Sequence, residues 1–325
     1  MEILEAVRVN LLSPAVLFFA LGVLAAVLKS DLKFPEQLYL GLTIYLLIAI
    51  GLKGGAAIAE AGLARVWVPS LAAMALGALI PFWTYPLLRL GKLPPVDAAA
   101  IAAHYGSVSA VTFIAATNYF TLIEVPFEPY ATAFLAVMES PAILVGVVIG
   151  KLATRQTGDA FGASLRTAVH EALFGRSVIL LIGALVVGAV TGSAGLKKVE
   201  PFFITPFQGV LALFLLEMGL VAGRRLGDLR KVGLFLLGFG IVVPLVNGAL
   251  GVWLGRVTGL SLGGAALLGV LSASASYIAA PAAIRLSLPA ANPTLSLTAA
   301  LAITFPFNLT LGIPYCLALA RQLYA

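Results

Sequence analysis

Cysteine, histidine and charged residues are scarce in this sequence. It has one cysteine and two histidines, and 10% of its 325 residues are charged, compared with about 25% in a soluble globular domain. The single cysteine, Cys316, excludes an intramolecular disulfide and a cysteine-rich metal site. The sequence contains neither an HExxH zinc motif nor a phosphate-binding GxxxxGKS or GxxxxGKT motif. We therefore expect a protein that is not an enzyme and that does not hydrolyse ATP on this chain.

Hydrophobic residues make up 61% of the sequence and fall into long runs. The core of a bilayer is about 30 Å thick, so a helix needs roughly 20 apolar residues to cross it. Ten runs meet or approach this length: 13–28, 37–52, 66–88, 97–120, 130–149, 177–193, 203–222, 232–254, 261–284 and 295–320. The sequence thus predicts an all-α polytopic membrane protein with ten transmembrane helices.

The charges between the runs predict how the chain is oriented. Ten spans put both termini on one side of the membrane, and that side carries seven of the 20 Lys and Arg residues, while the other carries thirteen. Because cytoplasmic loops are richer in Lys and Arg, we expect both termini outside and a multi-pass protein of the cell membrane. The net charge of +6 is spread over short loops, so it indicates topology rather than nucleic-acid binding.

The chain also repeats itself. Four markers recur at offsets of 164 to 168 residues, which predicts two related units, 1–150 and 177–325. The markers are Pro35 and Pro201, Gly51-Leu52 and Gly219-Leu220, Ser107 and Ser109 with Ser274 and Ser276, and Pro129 and Pro293. Since each unit has five helices, an odd number, the second must enter the membrane upside down, which is the inverted-repeat plan of secondary transporters.

The connection between the two units, residues 151–176, has a pattern of its own. An apolar residue recurs every four positions, at Phe161, Leu165, Val169 and Leu173, between charged residues. This pattern predicts an amphipathic helix on the cytoplasmic leaflet, with a plain linker as the alternative.

Small polar residues interrupt the fourth and ninth runs at corresponding places. The fourth run is interrupted at 105–109, YGSVS, and the ninth at 272–276, SASAS. In inverted-repeat transporters, helices that break near the midplane direct their positive N-terminal ends at an anionic substrate. The alternative is close helix packing, because Ser, Ala and Gly are common at helix interfaces in membranes.

Prolines beside these interruptions predict a cation site. Pro141 in the fifth run and Pro306 in the tenth each leave a backbone carbonyl without its helical hydrogen bond. Oxygen ligands for Na⁺ or H⁺ are then available from these carbonyls and from nearby side chains: Glu139, Ser140, Thr304 and Asn308. Glu217 is a weaker candidate, since a surface ion pair with Arg224 or Arg225 explains a carboxylate at this place in an apolar run equally well. His104 could relay protons or be a neutral core residue.

Three stretches resemble the SbtA family of sodium-dependent bicarbonate transporters: SASASYIAAPAAIRLSLPAANPTLSLTAALAITFPFNLTLGIPYC, HYGSVSAVTF and IGLKGGAAIAEAGL. The resemblance extends over all ten runs. It implies a ten-helix inverted repeat with a core domain bearing the crossing broken helices, a gate domain, a homotrimer, and Na⁺-driven uptake of bicarbonate. The family's anion-binding segments match Gly106, Ser107, Ser109, Ser272, Ser274 and Ser276. The residues beside its sodium site match Glu139, Thr304 and Asn308.

The connection between the units departs from the family pattern. Residues 150–176 look shorter than in cyanobacterial members, where a PII-like protein, SbtB, docks on the cytoplasmic face, and this puts an SbtB partner in doubt. Two functional alternatives also stay open. One is Na⁺-coupled symport of another small carboxylate or organic anion, and the other is an anion channel.

Overall fold

The computed structural model describes residues 8, 11–154 and 159–325, and over these ranges it is helical with no strands. The all-α prediction is therefore confirmed for the described residues. We number the longer helices α1 to α13: Pro14–Val27, Glu36–Ala61, Leu63–Leu90, Pro95–Gly106, Ala110–Leu122, Thr132–Ala153, Asp159–Phe174, Arg176–Phe203, Phe207–Arg225, Leu229–Val257, Leu262–Ala273, Ala279–Ser287 and Pro293–Tyr324.

Eight helical segments among the described residues are long and apolar enough to cross a membrane. They are α2, α3, α4 with α5, α6, α8, α9, α10 and α13. Two further apolar helices, α1 and α11, are shorter. These two lie in the first and ninth of the ten runs read from the sequence, so the chain is a multi-pass membrane protein with eight full-length candidate spans.

Helices α1, α2, α8 and α9 form what we call the four-helix group. Within it α1 packs along α9, and α2 packs along α8. Both pairs approach closely because glycines lie at the contacts. A Cβ on Gly22 would collide with the Leu216 carbonyl, and one on Gly188 with the Leu52 carbonyl. Small residues allow this backbone-to-backbone packing between membrane helices.

The remaining spans form what we call the broken-helix group, α3–α6 and α10–α13. Here α4 packs between α3 and α6, and α11 packs between α10 and α13. Alanine is the commonest residue of α4, and every residue from Asp97 to Gly106 is buried. At Gly106, a Cβ would lie 2.7 Å from Pro81 and 2.8 Å from Ala142. Gly106 therefore holds the end of α4 against α3 and α6.

The connection between the two halves contains α7, Asp159–Phe174. Ala168 on this helix is fully buried in a cluster with Ala99, Val147, Ile284 and Leu288, so α7 packs on the broken-helix group. Leu165 and Val169 are half-buried and Leu173 is exposed. The side chain of Phe161, the fourth apolar residue of the pattern, lies outside the described residues.

Helix α13 is irregular in its middle. Two π-helical stretches, Thr298–Thr304 and Asn308–Gly312, flank a short α-helical turn that contains Pro306. Wide turns of this kind are rare in proteins, and those that do occur are often found at functional sites. They occur in the helix that carries Thr304 and Asn308, two of the predicted cation ligands.

Candidate ion site at the crossing of two broken helices

The chain leaves the helical conformation at both predicted interruptions. Helix α4 ends at Gly106 and α5 begins at Ala110, while α11 ends at Ala273 and α12 begins at Ala279. The first residue after each helix has nearly the same backbone conformation. Ser107 has φ −83° and ψ 174°, and Ser274 has φ −84° and ψ 168°. The prediction of two matching breaks agrees with these dihedral angles.

The two extended segments cross and bind each other. The backbone N–H of Ser109 donates a hydrogen bond to Oγ of Ser274 at 2.9 Å. The backbone N–H of Ser276 donates to the carbonyl of His104 at 2.8 Å. All four residues, His104, Ser109, Ser274 and Ser276, are buried. These hydrogen bonds satisfy backbone groups that would otherwise be unpaired in the apolar interior.

Three of the predicted site serines direct their hydroxyl protons at backbone carbonyls. Ser107 donates to Glu139 at 3.0 Å, Ser272 to Leu268 at 2.8 Å, and Ser274 to Leu271 at 2.7 Å. A serine hydroxyl has one proton to donate. Ser107 therefore ties the first break to α6, whereas Ser272 and Ser274 bind carbonyls of the helix that precedes the second break.

The other two serines of the breaks have a different arrangement. Oγ of Ser109 accepts a hydrogen bond from the N–H of Thr112, and Oγ of Ser276 accepts one from the N–H of Ala280, both at 3.1 Å. Ser109 is the N-cap residue of α5, and Ser276 binds the N–H of the second residue of α12. A serine hydroxyl that accepts a hydrogen bond can still donate its own proton, and the Tyr277 hydroxyl beside Ser109 belongs to the same cavity wall.

A small cavity of about 30 Å³ lies beside these two serines. The broken-helix group contributes Ser109, Ser276 and Glu139 to its wall. The four-helix group contributes the opposite wall, through Thr43, Leu46 and Leu47 of α2, Ser177 of α8 and Phe214 of α9. The cavity therefore lies at the contact between the two groups.

The charges around the cavity have both signs. The first turn of α5, with Ala110 and Val111, faces it, and so does Ile278 just before α12. A helix N-terminus carries about half a positive charge and unpaired N–H groups, which favour an anion. Glu139 brings a carboxylate to the same wall. The cavity can thus offer hydrogen-bond donors to an anion and an oxygen ligand to a cation.

Thr304 is held by neighbouring helices. Its hydroxyl donates to the carbonyl of Gly240 at 2.7 Å and lies 2.6 Å from the hydroxyl of Tyr105. Pro244, four residues after Gly240 in α10, has no N–H to bind that carbonyl. Thr304 therefore supplies the hydrogen bond that Pro244 cannot, and it ties α13 to α10 and α4.

The side-chain oxygen of Asn308 is available to a ligand. Its Nδ2 donates to the carbonyl of Ala273, the last residue of α11, at 2.8 Å. Its Oδ1 is buried and has no hydrogen-bond partner among the described residues. A buried polar oxygen without a partner is costly and marks a place where a ligand can bind. Asn308 thus lies directly behind the second break, whereas Glu139 lies on the cavity wall.

Two weaker sequence candidates lie apart from this wall. His104 is fully buried in α4, where its Nδ1 donates to the carbonyl of Ala100 at 2.7 Å, as a neutral core histidine would. Glu217 is buried in α9, and within the part of the chain that the structure describes its Oε2 has no hydrogen-bond partner. Sequence reasoning missed Tyr277, which directly follows the second break motif, and several lining residues that carry no local signal, among them Thr43, Leu47, Ser177 and Phe214.

Two larger cavities lie along α2 on either side of the small one. One, of about 390 Å³, is lined by Tyr39, Thr43 and Leu47 of α2 and by parts of α7, α8 and α12. The other, of about 670 Å³, is lined by α2 from Ile50 to Glu60 and by parts of α5, α8 and α9. The three cavities therefore follow one another along the boundary between the two helix groups.

Comparison with known proteins identifies the family of this chain. A model of the Na⁺-dependent bicarbonate transporter superfamily matches residues 14–321, from the first residue of α1 to the last turns of α13. No curated protein sequence gives a significant match. The resemblance read from the sequence is confirmed, and the chain belongs to the Na⁺-dependent bicarbonate transporter superfamily.

Proposed function

We propose that this chain is a secondary active transporter that carries bicarbonate into the cell by symport with Na⁺. The observation that carries this proposal is the small cavity at the crossing of the two breaks, where the hydroxyls of Ser109 and Ser276 lie beside helix N-termini. Family membership implies Na⁺-dependent bicarbonate transport. We propose in addition that Na⁺ and the anion move together into the cell and that bicarbonate itself is the substrate of this chain.

The anion chemistry fits this cavity. Bicarbonate is a small planar anion with three oxygens, so it can accept hydrogen bonds from two hydroxyls and from backbone N–H groups together. The described residues that line the small cavity include no Lys or Arg. A cavity holds one water when about 10–15 Å³ is open to the centre of a water-sized sphere. The small cavity has about 30 Å³ of this volume, so it accommodates a slightly larger molecule. Neutral donors bind a small anion firmly enough to select it and weakly enough to release it.

Sodium would bind next to the anion. Glu139 lies on the cavity wall, and the free Oδ1 of Asn308 lies behind the second break. Thr304 belongs to the same irregular helix as Asn308 and joins it to α4 and α10. Moving an anion into a cell against an inside-negative potential costs about 2.3 kcal/mol per 100 mV. A co-transported Na⁺ cancels that charge, and the Na⁺ gradient drives uptake.

We further propose ten spans arranged as an inverted repeat of five helices. Helix pairing supports this, because exchanging the two halves turns the α1–α9 pair into the α8–α2 pair. The close-contact glycines support it as well. Gly22 and Gly188 are 166 residues apart, Gly51 and Gly219 are 168 apart, and each lies at one of these two helix contacts.

The two helix groups correspond to the gate and core domains that the family resemblance implies. We assign the four-helix group as the gate and the broken-helix group as the core. The small cavity shares Thr43, Leu47, Ser177 and Ile278 with the 390 Å³ cavity and no lining residue with the 670 Å³ cavity. With both termini outside, the 390 Å³ cavity opens to the cytoplasm, so this conformation is the inward-facing one.

The proposed setting is the cell membrane, with a homotrimer as the assembly and α7 on the cytoplasmic side. A cysteine in place of the exposed Arg166 on α7 tests the orientation. The native Cys316 is fully buried, so it gives little background. We expect an impermeant thiol reagent to label Arg166→Cys in permeabilised cells and not in intact ones, and labelling of intact cells would reverse the topology. SbtB binding is not part of the proposal.

Transport by purified protein in liposomes tests the function. Labelled bicarbonate is added at a pH of about 8, where bicarbonate dominates, with an inward gradient of Na⁺ or of K⁺ as the control. We expect concentrative uptake with Na⁺ alone, and unlabelled bicarbonate should compete better than formate, acetate or larger organic anions. Equilibration without accumulation would indicate a channel, and better competition by another anion would change the substrate.

A further inference from the structure

The 670 Å³ cavity has a mixed polar and apolar wall. Its polar side chains are contributed by α2, α5, α6, α8, α9 and the loop after α5, and they include Lys53, Thr117, Asn118 and Gln208. Gln208 at the start of α9 donates a hydrogen bond to Asn118 of α5 at 2.6 Å, and so connects the two helix groups. Among the described residues that line this cavity, Lys53 is the one cation.

Lys53 lies within an apolar membrane span. Helix α2 contributes Leu47 to the small cavity, and Lys53 is six residues further along, about 9 Å at 1.5 Å per residue. The residue is exposed, and its Nζ is 6.0 Å from the centroid of the Phe207 ring. A charged side chain within a membrane span is costly and is usually functional, particularly when it faces a water-filled cavity.

Two carboxylates line the same cavity farther from the crossing. Glu60 is on the same face of α2 as Lys53, seven residues or about 10 Å beyond it. Glu124 follows the end of α5 at Leu122. The cavity therefore has acidic groups toward its outer rim and a single lysine between that rim and the small cavity.

We propose that Lys53 is an outer binding subsite for the transported anion, which it holds before the anion reaches Ser109 and Ser276. This proposal deepens the proposed function and depends on it. The Debye length is about 8 Å at physiological ionic strength, so an anion beside Lys53 is attracted by the lysine while the charge of Glu60, about 10 Å along α2, is largely screened. A lysine suits a temporary site because its hydrated point charge binds an anion less rigidly than the planar fork of an arginine.

The test compares Lys53→Gln with Lys197→Gln in liposomes. Lys197 is an exposed residue of α8 that does not line the cavity, and both variants remove one charge from the same side of the proposed membrane topology. We expect Lys53→Gln to raise the KM for bicarbonate three- to tenfold, with a smaller change in the maximal rate. Its KM should also respond less to ionic strength than that of the wild type, because the screened attraction is gone.

Chemical restoration of the charge controls for damage to the fold. Lys53→Cys is treated with a methanethiosulfonate reagent that adds an aminoethyl group or, as the control, a methyl group. The aminoethyl group should restore the low KM and the ionic-strength response, and the methyl group should not. The proposal is overturned if Lys53→Gln and Lys197→Gln have the same KM, or if both reagents have the same effect. Failure of wild-type protein to take up bicarbonate would instead reject the proposed function.

Discussion

The backbone N–H of Ser109 donates a hydrogen bond to Oγ of Ser274, which lies 165 residues further along the chain, at 2.9 Å. This bond joins the break of one half to the break of the other. Ser274 in turn donates its own proton to the carbonyl of Leu271. Its side chain is therefore a bridge inside the crossing, whereas the hydroxyls of Ser109 and Ser276 face the cavity.

The first prediction concerns this bridge. Ser274→Ala removes the acceptor and leaves the buried N–H of Ser109 without a partner, which costs about 1–3 kcal/mol. We expect a clear fall in the thermal unfolding temperature of the detergent-solubilised protein. Ser272→Ala is the matched control, because Ser272 donates to a carbonyl within its own helix. Equal unfolding temperatures for the two variants would show that the bridge does not stabilise the crossing.

The second prediction concerns the two serines that face the cavity. Ser109→Ala and Ser276→Ala each delete one donor to the anion, worth about 1.5–3 kcal/mol for a charged acceptor. A loss of about 1.4 kcal/mol weakens binding tenfold, and we expect an effect of at least this size on bicarbonate affinity.

Both changes also remove a helix cap, which by itself costs about 1 kcal/mol of stability. Ser13→Ala controls for this, because Ser13 caps α1 and lies away from the cavity. Ser13→Ala should keep wild-type bicarbonate affinity. If all three variants bind bicarbonate equally, the serines serve helix capping alone and the anion site lies elsewhere.

The third prediction concerns sodium. Glu139→Gln and Asn308→Ala each remove an oxygen ligand, and a loss of about 1 kcal/mol corresponds to a fivefold weaker affinity. We expect the Na⁺ concentration for half-maximal uptake to rise by about that factor. Glu217→Gln neutralises another buried glutamate, one that does not line the cavity, and should leave Na⁺ dependence unchanged. The same Na⁺ dependence in all variants would remove Glu139 and Asn308 from the site.

The fourth prediction concerns the contact between α1 and α9. A Cβ on Gly219 would collide with the Phe19 carbonyl, so Gly219→Ala forces the helices apart. Overpacking of this kind costs about 1–3 kcal/mol. Gly238→Ala in α10 is the control, since no atom lies within 4 Å of its Cβ position. We expect Gly219→Ala to lower the unfolding temperature and Gly238→Ala to leave it unchanged. Similar unfolding temperatures for the two variants would argue against close packing at Gly219.

Local features of the sequence were enough to predict the helical class, because long apolar runs predict membrane helices. Each cluster of small polar residues by itself also fits close helix packing. The breaks at 107–109 and after Ala273 were predicted because the two clusters recur at corresponding places in the two halves. The family also follows from continuous motifs, which a sequence displays directly.

The role of each serine depended on contacts between distant segments. Ser107 and Ser109 are two residues apart and look alike in the sequence, yet one binds the Glu139 carbonyl and the other caps α5 and faces the cavity. Thr304, a predicted sodium-site residue, also donates its hydroxyl proton to the carbonyl of Gly240, which Pro244 leaves free. Thr43 and Phe214 had no signal at all, because lining a cavity depends on how two helix groups pack. Periodicity records which residues share a helix face, and only the packed structure decides what that face meets.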